Sequence, residues 1–382
     1  MKSYFPDYEG GSIVNLSSSI ETALGGSPKY GCLRIFPPGK IHGSVVLIMV
    51  DGFGYNYLKR YGKGSFMYEH LVGKITSAFP STSPASSPCF QTGQAPCEHG
   101  MVGHAVYLKE LGGQVRALRH KPRKGYDFPM KPMSGLYGFK PMSNRINAIS
   151  YVVLDKKIVG SEFDIALSGS AVSVGRASVE DMFEKLEGII KSDRRRKFIF
   201  ALESEHDHLA HDYRTKSRKV LANFKKFDML LRRFVRSIRG FDATVIVCAD
   251  HGMIDIPDDK MIFVENHPFL KKCLKFTMCG QQRYLYCYVK NGMKKRFASY
   301  VKKYLHCNLF YPDEIKKYFG GHKCYKNFKS RLGDFVLVPK DDYAVYDLTS
   351  GEDKASYGLN YADHGGFSSD EMFVPLIVVD VR

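Results

Sequence analysis

Four places in the chain set a carboxylate or an imidazole where an apolar run ends or a loop leaves it. They are Asp51 after residues 45–50, Asp207 and His211 after 197–202, Asp250 and His251 after 244–249, and His364 ahead of Gly365-Gly366. Carboxylate and imidazole donors suit zinc, and also manganese or iron. Six such groups are enough for two divalent ions with three protein ligands each, leaving open positions for a nucleophile or substrate. Two metals about 3.5–4 Å apart clamp the attacking and leaving oxygens of a phosphoryl transfer. They also lower the pKa of a hydroxyl, activating it without a neighbouring base. Hydroxyls are supplied by Ser81-Thr82-Ser83-Pro84-Ala85-Ser86-Ser87. That stretch reads either as a turn capped into a helix or as a nucleophile at a helix N-terminus, where backbone N–H groups bind an oxyanion. Each piece alone has a bland reading: Asp207 and His211 as a solvated i,i+4 pair, Asp250-His251-Gly252 as a turn, His364 as a loop residue. Their recurrence at strand ends favours the metal reading.

The elements that must position these residues are legible. Residues 45–50 are six apolar residues without alternation, the pattern of a central strand in a parallel sheet covered on both faces. Open α/β sheets place ligands outside the carboxyl ends of such strands, where Asp51 falls. A helix is expected around 55–61, and another over 178–191, with Ser178 as N-cap and Met182, Leu186, Ile189 and Ile190 on one face. A longer amphipathic helix runs from about 215 to 239, with Val220, Phe224, Phe227, Leu231, Phe234 and Ile238 as its apolar stripe. Strands at 197–202, 244–249 and 374–381 complete an alternation that predicts an α/β fold: a doubly wound, mostly parallel central sheet flanked by helices. Residues 99–175 read as loop-rich. Residues 258–345 break the alternation and are expected to form an inserted α+β cap on a core of 1–257 and 346–382.

Composition bounds the rest. A chain of 382 residues, 44% hydrophobic, can bury a large core. It has no apolar run long enough to span a membrane. The net charge of +17 suggests an anionic substrate or partner. The basic residues are spread widely, as on a solvated surface, and no nucleic-acid-binding motif is present. Nine scattered cysteines without a CxxC pair read as reduced thiols. With no apolar leader in the first residues, they predict a cytoplasmic location.

Several short motifs, in order and spacing, resemble the alkaline phosphatase superfamily, in particular its nucleotide pyrophosphatase/phosphodiesterase branch. They are Val50-Asp51-Gly52, residues 79–83, Thr92-Gly93, residues 98–103, Asp207-x-x-x-His211, residues 250–253, residues 331–336 and residues 364–368, then Glu371-Met372 and Val374-Pro375. The likeness extends from Val45 to Pro375. It implies that Asp207, His211 and His364 hold one metal and that Asp51, Asp250 and His251 hold the other, zinc first and manganese as the alternative. It puts the nucleophile at Ser83, nine residues before Thr92, with Thr82 as the fallback. The family usually has Thr there, so Ser is a conservative departure. The branch also sets an Asn downstream of the nucleophile against a phosphate oxygen, and here His104 takes that place. Imidazole can donate one hydrogen bond and, protonated, add positive charge.

The resemblance therefore implies a two-metal hydrolase of phosphodiesters or pyrophosphates, working through a covalent phosphoseryl enzyme on a small anionic phosphate ester such as a nucleotide. Phosphomonoesters, phosphonates or sulfates are the alternative substrates of the same site, and a phosphosugar mutase is a further one. A basic nucleic-acid or anionic-surface binder on a retired hydrolase fold is the rival of another class. Intact residues at all six ligand positions argue against it. The oligomeric state is not legible.

Overall fold

The computed structural model describes residues 2–321, 323–348 and 360–382. Its core is a seven-stranded sheet in the order Leu71–Thr76, Phe373–Val381, Ala243–Cys248, Ser44–Val50, Lys197–Glu203, Ile149–Asp155, Val172–Arg176. Ser44–Val50 lies at the centre and is buried along its whole length. It runs parallel to both neighbours, with Leu47 opposite Phe200 on one side and Ile246 on the other. Phe373–Val381 runs antiparallel to both its neighbours, Leu71–Thr76 and Ala243–Cys248, and the other described pairings of this sheet are parallel. The expected doubly wound, mostly parallel sheet is what the chain forms.

Local signals set the flanking helices. Ser178 Oγ accepts the Asp181 N–H and starts the helix Val179–Lys191. Ser217 Oγ accepts the Val220 N–H and starts Arg218–Ser237, whose Val220, Phe224, Phe227, Leu231 and Phe234 are buried. The hydroxyl-rich stretch is also helical, over Ser83–Thr92, with Thr82 as N-cap and Gly93 in the left-handed conformation closing it. It is not a linker.

A second seven-stranded sheet follows the order Cys307–Phe310, Phe335–Pro339, Tyr284–Cys287, Cys279–Gln281, Ala105–Leu108, Gly113–Arg116, Lys121–Pro122. It draws on residues 105–122 as well as 279–339, so the stretch expected to be loop-rich supplies three of its strands. The same stretch supplies the main-sheet strands Ile149–Asp155 and Val172–Arg176. These elements escape a sequence reading because the three are only two to four residues long and Val172–Arg176 is a partly exposed edge strand with Ser and Gly inside it.

Two buried arginines tie separate segments together. Arg283, in the turn between the second-sheet strands Cys279–Gln281 and Tyr284–Cys287, makes a bidentate pair with Glu371, Nε to Oε1 at 2.9 Å and an η-nitrogen to Oε2 at 2.8 Å. Glu371 also accepts the N–H groups of Gly366 and Ser368, so the pair pins the loop that follows His364. Arg331 donates to the carbonyls of Gly100 and Leu136 and pairs with Glu110. One expectation is corrected here. Cys97 and Cys324 form a disulfide across 227 residues of sequence, leaving seven free cysteines. A pairing that distant leaves no local motif, and it removes the cysteine-based argument for a cytoplasmic location.

Candidate metal and phosphoryl-transfer site

The predicted ligands converge at one edge of the main sheet because each leaves the carboxyl end of a buried strand or the helix behind it. Asp51 follows Ser44–Val50. Asp207 and His211 lie one turn apart on Glu205–Tyr213, which follows Lys197–Glu203. Asp250 and His251 follow Ala243–Cys248. His364 follows the short strand Ala362–Asp363, which pairs antiparallel with Ile254–Asp255. Gly52 makes the convergence possible. Its φ is +72°, and a Cβ there would lie 3.0 Å from both Asp207 Oδ1 and Met253 Sδ.

Two triads result, Asp207, His211 and His364 in one and Asp51, Asp250 and His251 in the other. In each, one ligand atom per residue lies within 4.8 Å of the others. Within the first, His211 Nε2 is 3.3 Å from Asp207 Oδ2 and His364 Nε2 is 3.8 Å from Asp207 Oδ1. Within the second, His251 Nε2 is 3.3 Å from Asp51 and 3.5 Å from Asp250. The rings of His251 and His364 stack at 3.7 Å, bringing the triads together.

The residues fit divalent cations on three counts. Every histidine has its Nδ1 on a backbone carbonyl: His211 on Ala362 at 2.7 Å, His251 on Gly252 at 3.0 Å and His364 on Ser81 at 3.0 Å. A carbonyl requires Nδ1 to carry the proton, so each neutral ring turns an Nε2 lone pair into the site, as metal-binding histidines do. Next, Asp207 Oδ1 and Asp250 Oδ2 are buried without a hydrogen-bond partner, an arrangement that costs free energy unless something positive fills it. The titration behaviour agrees. Burial, followed by the neighbouring Asp51 charge, pushes the Asp250 carboxyl up. His211 and His251 rise to about 9 and about 10 despite burial, held by Asp207 and by Asp250 with Asp51 respectively. Crowded carboxylates borrow protons where cations would serve. Nitrogen and oxygen donors of this kind suit zinc and manganese alike.

Ser83, the first residue of its helix, is half-buried, and its Oγ lies 3.2 Å from both Asp51 Oδ1 and His251 Nε2. Thr82 is fully buried, and its hydroxyl donates to Gln281 Oε1 at 3.1 Å. His104 lines the same cleft of about 510 Å³, along with Arg116, Arg119, Phe163 and His208. Burial holds its pKa down to about 3, so the ring is neutral near pH 7 and adds no charge.

Beyond the residues the sequence singles out, the cleft wall adds Arg116, Arg119, Phe163 and His208, and Asp363 and Gln281 bear directly on the triads. Asp363 had a readable signal, since Asp363-His364-Gly365 repeats Asp250-His251-Gly252. In both copies the aspartate Oδ1 accepts the N–H of the histidine that follows, at 2.8 Å and 3.0 Å. Gln281 had none, because it arrives from the second sheet.

A family model for type I phosphodiesterase / nucleotide pyrophosphatase matches residues 45–366. No curated protein matches the chain. Among solved structures, murine ectonucleotide pyrophosphatase / phosphodiesterase 5, in an inactive form with AMP, is similar with a TM-score of 0.67 and 16% identity over 87% of each chain. Phosphonoacetate hydrolase from Sinorhizobium meliloti, in complex with phosphonoacetate, is similar with a TM-score of 0.67 and 17% identity, over 89% of this chain and 90% of that one. At such identities the two structures speak for a shared fold. With the family match spanning most of the length, the chain belongs to the type I phosphodiesterase / nucleotide pyrophosphatase family of phosphoester hydrolases.

Proposed function

We propose that this protein is a two-metal phosphohydrolase that cleaves phosphodiester or pyrophosphate bonds of small anionic esters through a phosphoseryl intermediate on Ser83. One observation carries the reading: the Ser83 hydroxyl lies 3.2 Å from both Asp51 and His251, two members of the second triad, in the cleft that Asp207 and His211 of the first triad also line. Asp207, His211 and His364 would hold one ion, and Asp51, Asp250 and His251 the other. Bound there, the cations would acidify the hydroxyl and neutralise charge developing on the phosphoryl oxygens.

The chain's own groups do the rest. The Ser83 O–H donates toward Asp51, which aims the oxygen lone pairs into the cleft. Oγ attacks phosphorus, an Oγ–P bond forms, and the opposite P–O bond breaks with its electron pair on the departing alcohol or phosphate. The Ser83 proton ends on the departing oxygen. Water then attacks the phosphoserine, its oxygen bonds to phosphorus, the P–Oγ bond breaks, and one proton of that water passes to Oγ. Arg116 and Arg119 in the cleft wall favour an anionic substrate, while neutral His104 can only donate or accept a hydrogen bond.

The test is hydrolysis of bis-p-nitrophenyl phosphate against p-nitrophenyl phosphate, with zinc or manganese and with chelator. Diester cleavage lost on chelation, in Ser83→Ala and in Asp250→Ala is expected. A preference for the monoester would transfer the site to phosphomonoester chemistry. No turnover and no bound metal, together with salt-sensitive polynucleotide binding, would sink the hydrolase reading.

A further inference from the structure

Gln281 ends the Cys279–Gln281 strand and lines the cleft that holds Ser83. Its delivery depends on Gly280, whose φ is +94° and where a Cβ would lie 2.2 Å from the Tyr284 carbonyl oxygen. The amide is held at both ends. Oε1 accepts the Thr82 hydroxyl at 3.1 Å, while Nε2 donates to Asp363 Oδ1 at 2.8 Å and lies 3.4 Å from His364 Nε2. These partners fix its orientation, because the reversed amide would set its carbonyl oxygen against the Asp363 carboxylate.

A primary amide carries two N–H donors. Asp363 uses one. The other points at the His364 Nε2 lone pair, since His364 Nδ1 is committed to the Ser81 carbonyl. That lone pair is the one the first triad offers to a cation, so metal and amide compete for it. Once it is coordinated, Thr82 and Asp363 still hold the amide while one N–H has lost its acceptor inside an anion-binding cleft. An unmet buried donor is costly, and a phosphoryl oxygen entering this cleft would supply an acceptor for it.

We propose that Gln281 is a phosphoryl-oxygen donor: in the metal-loaded protein its second N–H, aimed by Asp363 and Thr82, hydrogen-bonds a non-bridging oxygen of the bound phosphate ester. The proposal rests on the phosphohydrolase reading above.

The test compares wild type with Gln281→Met, which keeps the length without a donor, and Gln281→Asn, which keeps the amide but is too short for both tethers. Zinc affinity is read by competition with a chromophoric chelator. Orthovanadate affinity of the zinc-loaded protein is read by calorimetry, and kcat and KM come from bis-p-nitrophenyl phosphate. Both variants are expected to hold two zinc ions at least as tightly as wild type, because a competitor for His364 is gone. Vanadate should bind more weakly and kcat should fall about 10²- to 10³-fold in Gln281→Met, the usual loss for one preorganised donor. Wild-type vanadate affinity in either folded variant overturns the proposal. Loss of zinc also overturns it, since Gln281 would then act by building the metal site. Vanadate binding is readable without turnover, so an inactive wild type would sink the hydrolase reading alone.

Discussion

Two adjacent hydroxyls divide their work by what surrounds them. Ser83 Oγ touches Asp51 and His251, whereas the Thr82 hydroxyl is buried and bonded to Gln281. Ser83→Ala is therefore expected to cost at least about 10³-fold in kcat, as loss of a nucleophile does. Thr82→Val leaves Gln281 Oε1 unpaired, costing about 1–3 kcal/mol of stability while measurable hydrolysis survives. Kinetics and thermal melts of the two variants check this, and the reverse pattern would move the nucleophile to Thr82. The ligands make a second prediction at this scale. Asp250→Asn should lower bound metal from two ions per chain toward one by elemental analysis, because it removes a buried, unpartnered oxygen of the second triad.

Strand-to-loop transitions set how closely the ligands approach. Gly52 holds the turn after Asp51 in the left-handed region, packed against the Asp207 carboxylate. Gly52→Ala combines a conformational cost of about 1–2 kcal/mol with displacement of Asp207. A lowered melting temperature together with weakened zinc affinity in chelator competition is expected. Wild-type zinc affinity in the destabilised variant would show that Asp207 tolerates the intrusion. The helix Glu205–Tyr213 adds a directional lesson. Its His206 packs edge-on against Phe53 and Tyr57 and belongs to neither triad, and burial lowers its pKa to about 4. Asp207 and His211, one turn apart, face the site together.

A charged pair is buried between a turn of the second sheet and the short helix Ser369–Met372 that leads into the main-sheet strand Phe373–Val381. Arg283 and Glu371 are both almost inaccessible. Removing one partner leaves the other charge uncompensated, so Arg283→Met is expected to cost about 3–5 kcal/mol. The Arg283→Met/Glu371→Leu double variant should recover much of that loss, which a double-mutant cycle by denaturant unfolding measures. The pair also carries a pH signature. Despite burial, the Arg283 charge holds the Glu371 carboxyl below its ordinary value. A depressed folded-state pKa contributes stability above the unfolded value of about 4.3, and that contribution is lost as pH falls through the folded value. The stability gap between wild type and Arg283→Met should therefore narrow as pH falls through the folded Glu371 value, because the wild type loses a contribution that the variant lacks at every pH. A gap of constant size would show that the titration of the pair is not coupled to global stability.

The sequence by itself determined the central strand, the capped helix at 178–191, the long amphipathic helix after it and the six candidate ligands that the fold brings into two triads. Those depend on local periodicity, on capping residues and on short Asp-His-Gly or Asp-x-x-x-His spacings, all written within a few residues of one another. It did not determine the second sheet, whose strands of two to five residues are too short to show a period and come from segments more than 150 residues apart. Nor did it determine the Cys97–Cys324 bond, the charge state of His104 or the place of Gln281. A disulfide partner, a desolvation energy and a hydrogen bond between sheets are properties of residues that meet only when the chain is folded. Only the tertiary structure decided them.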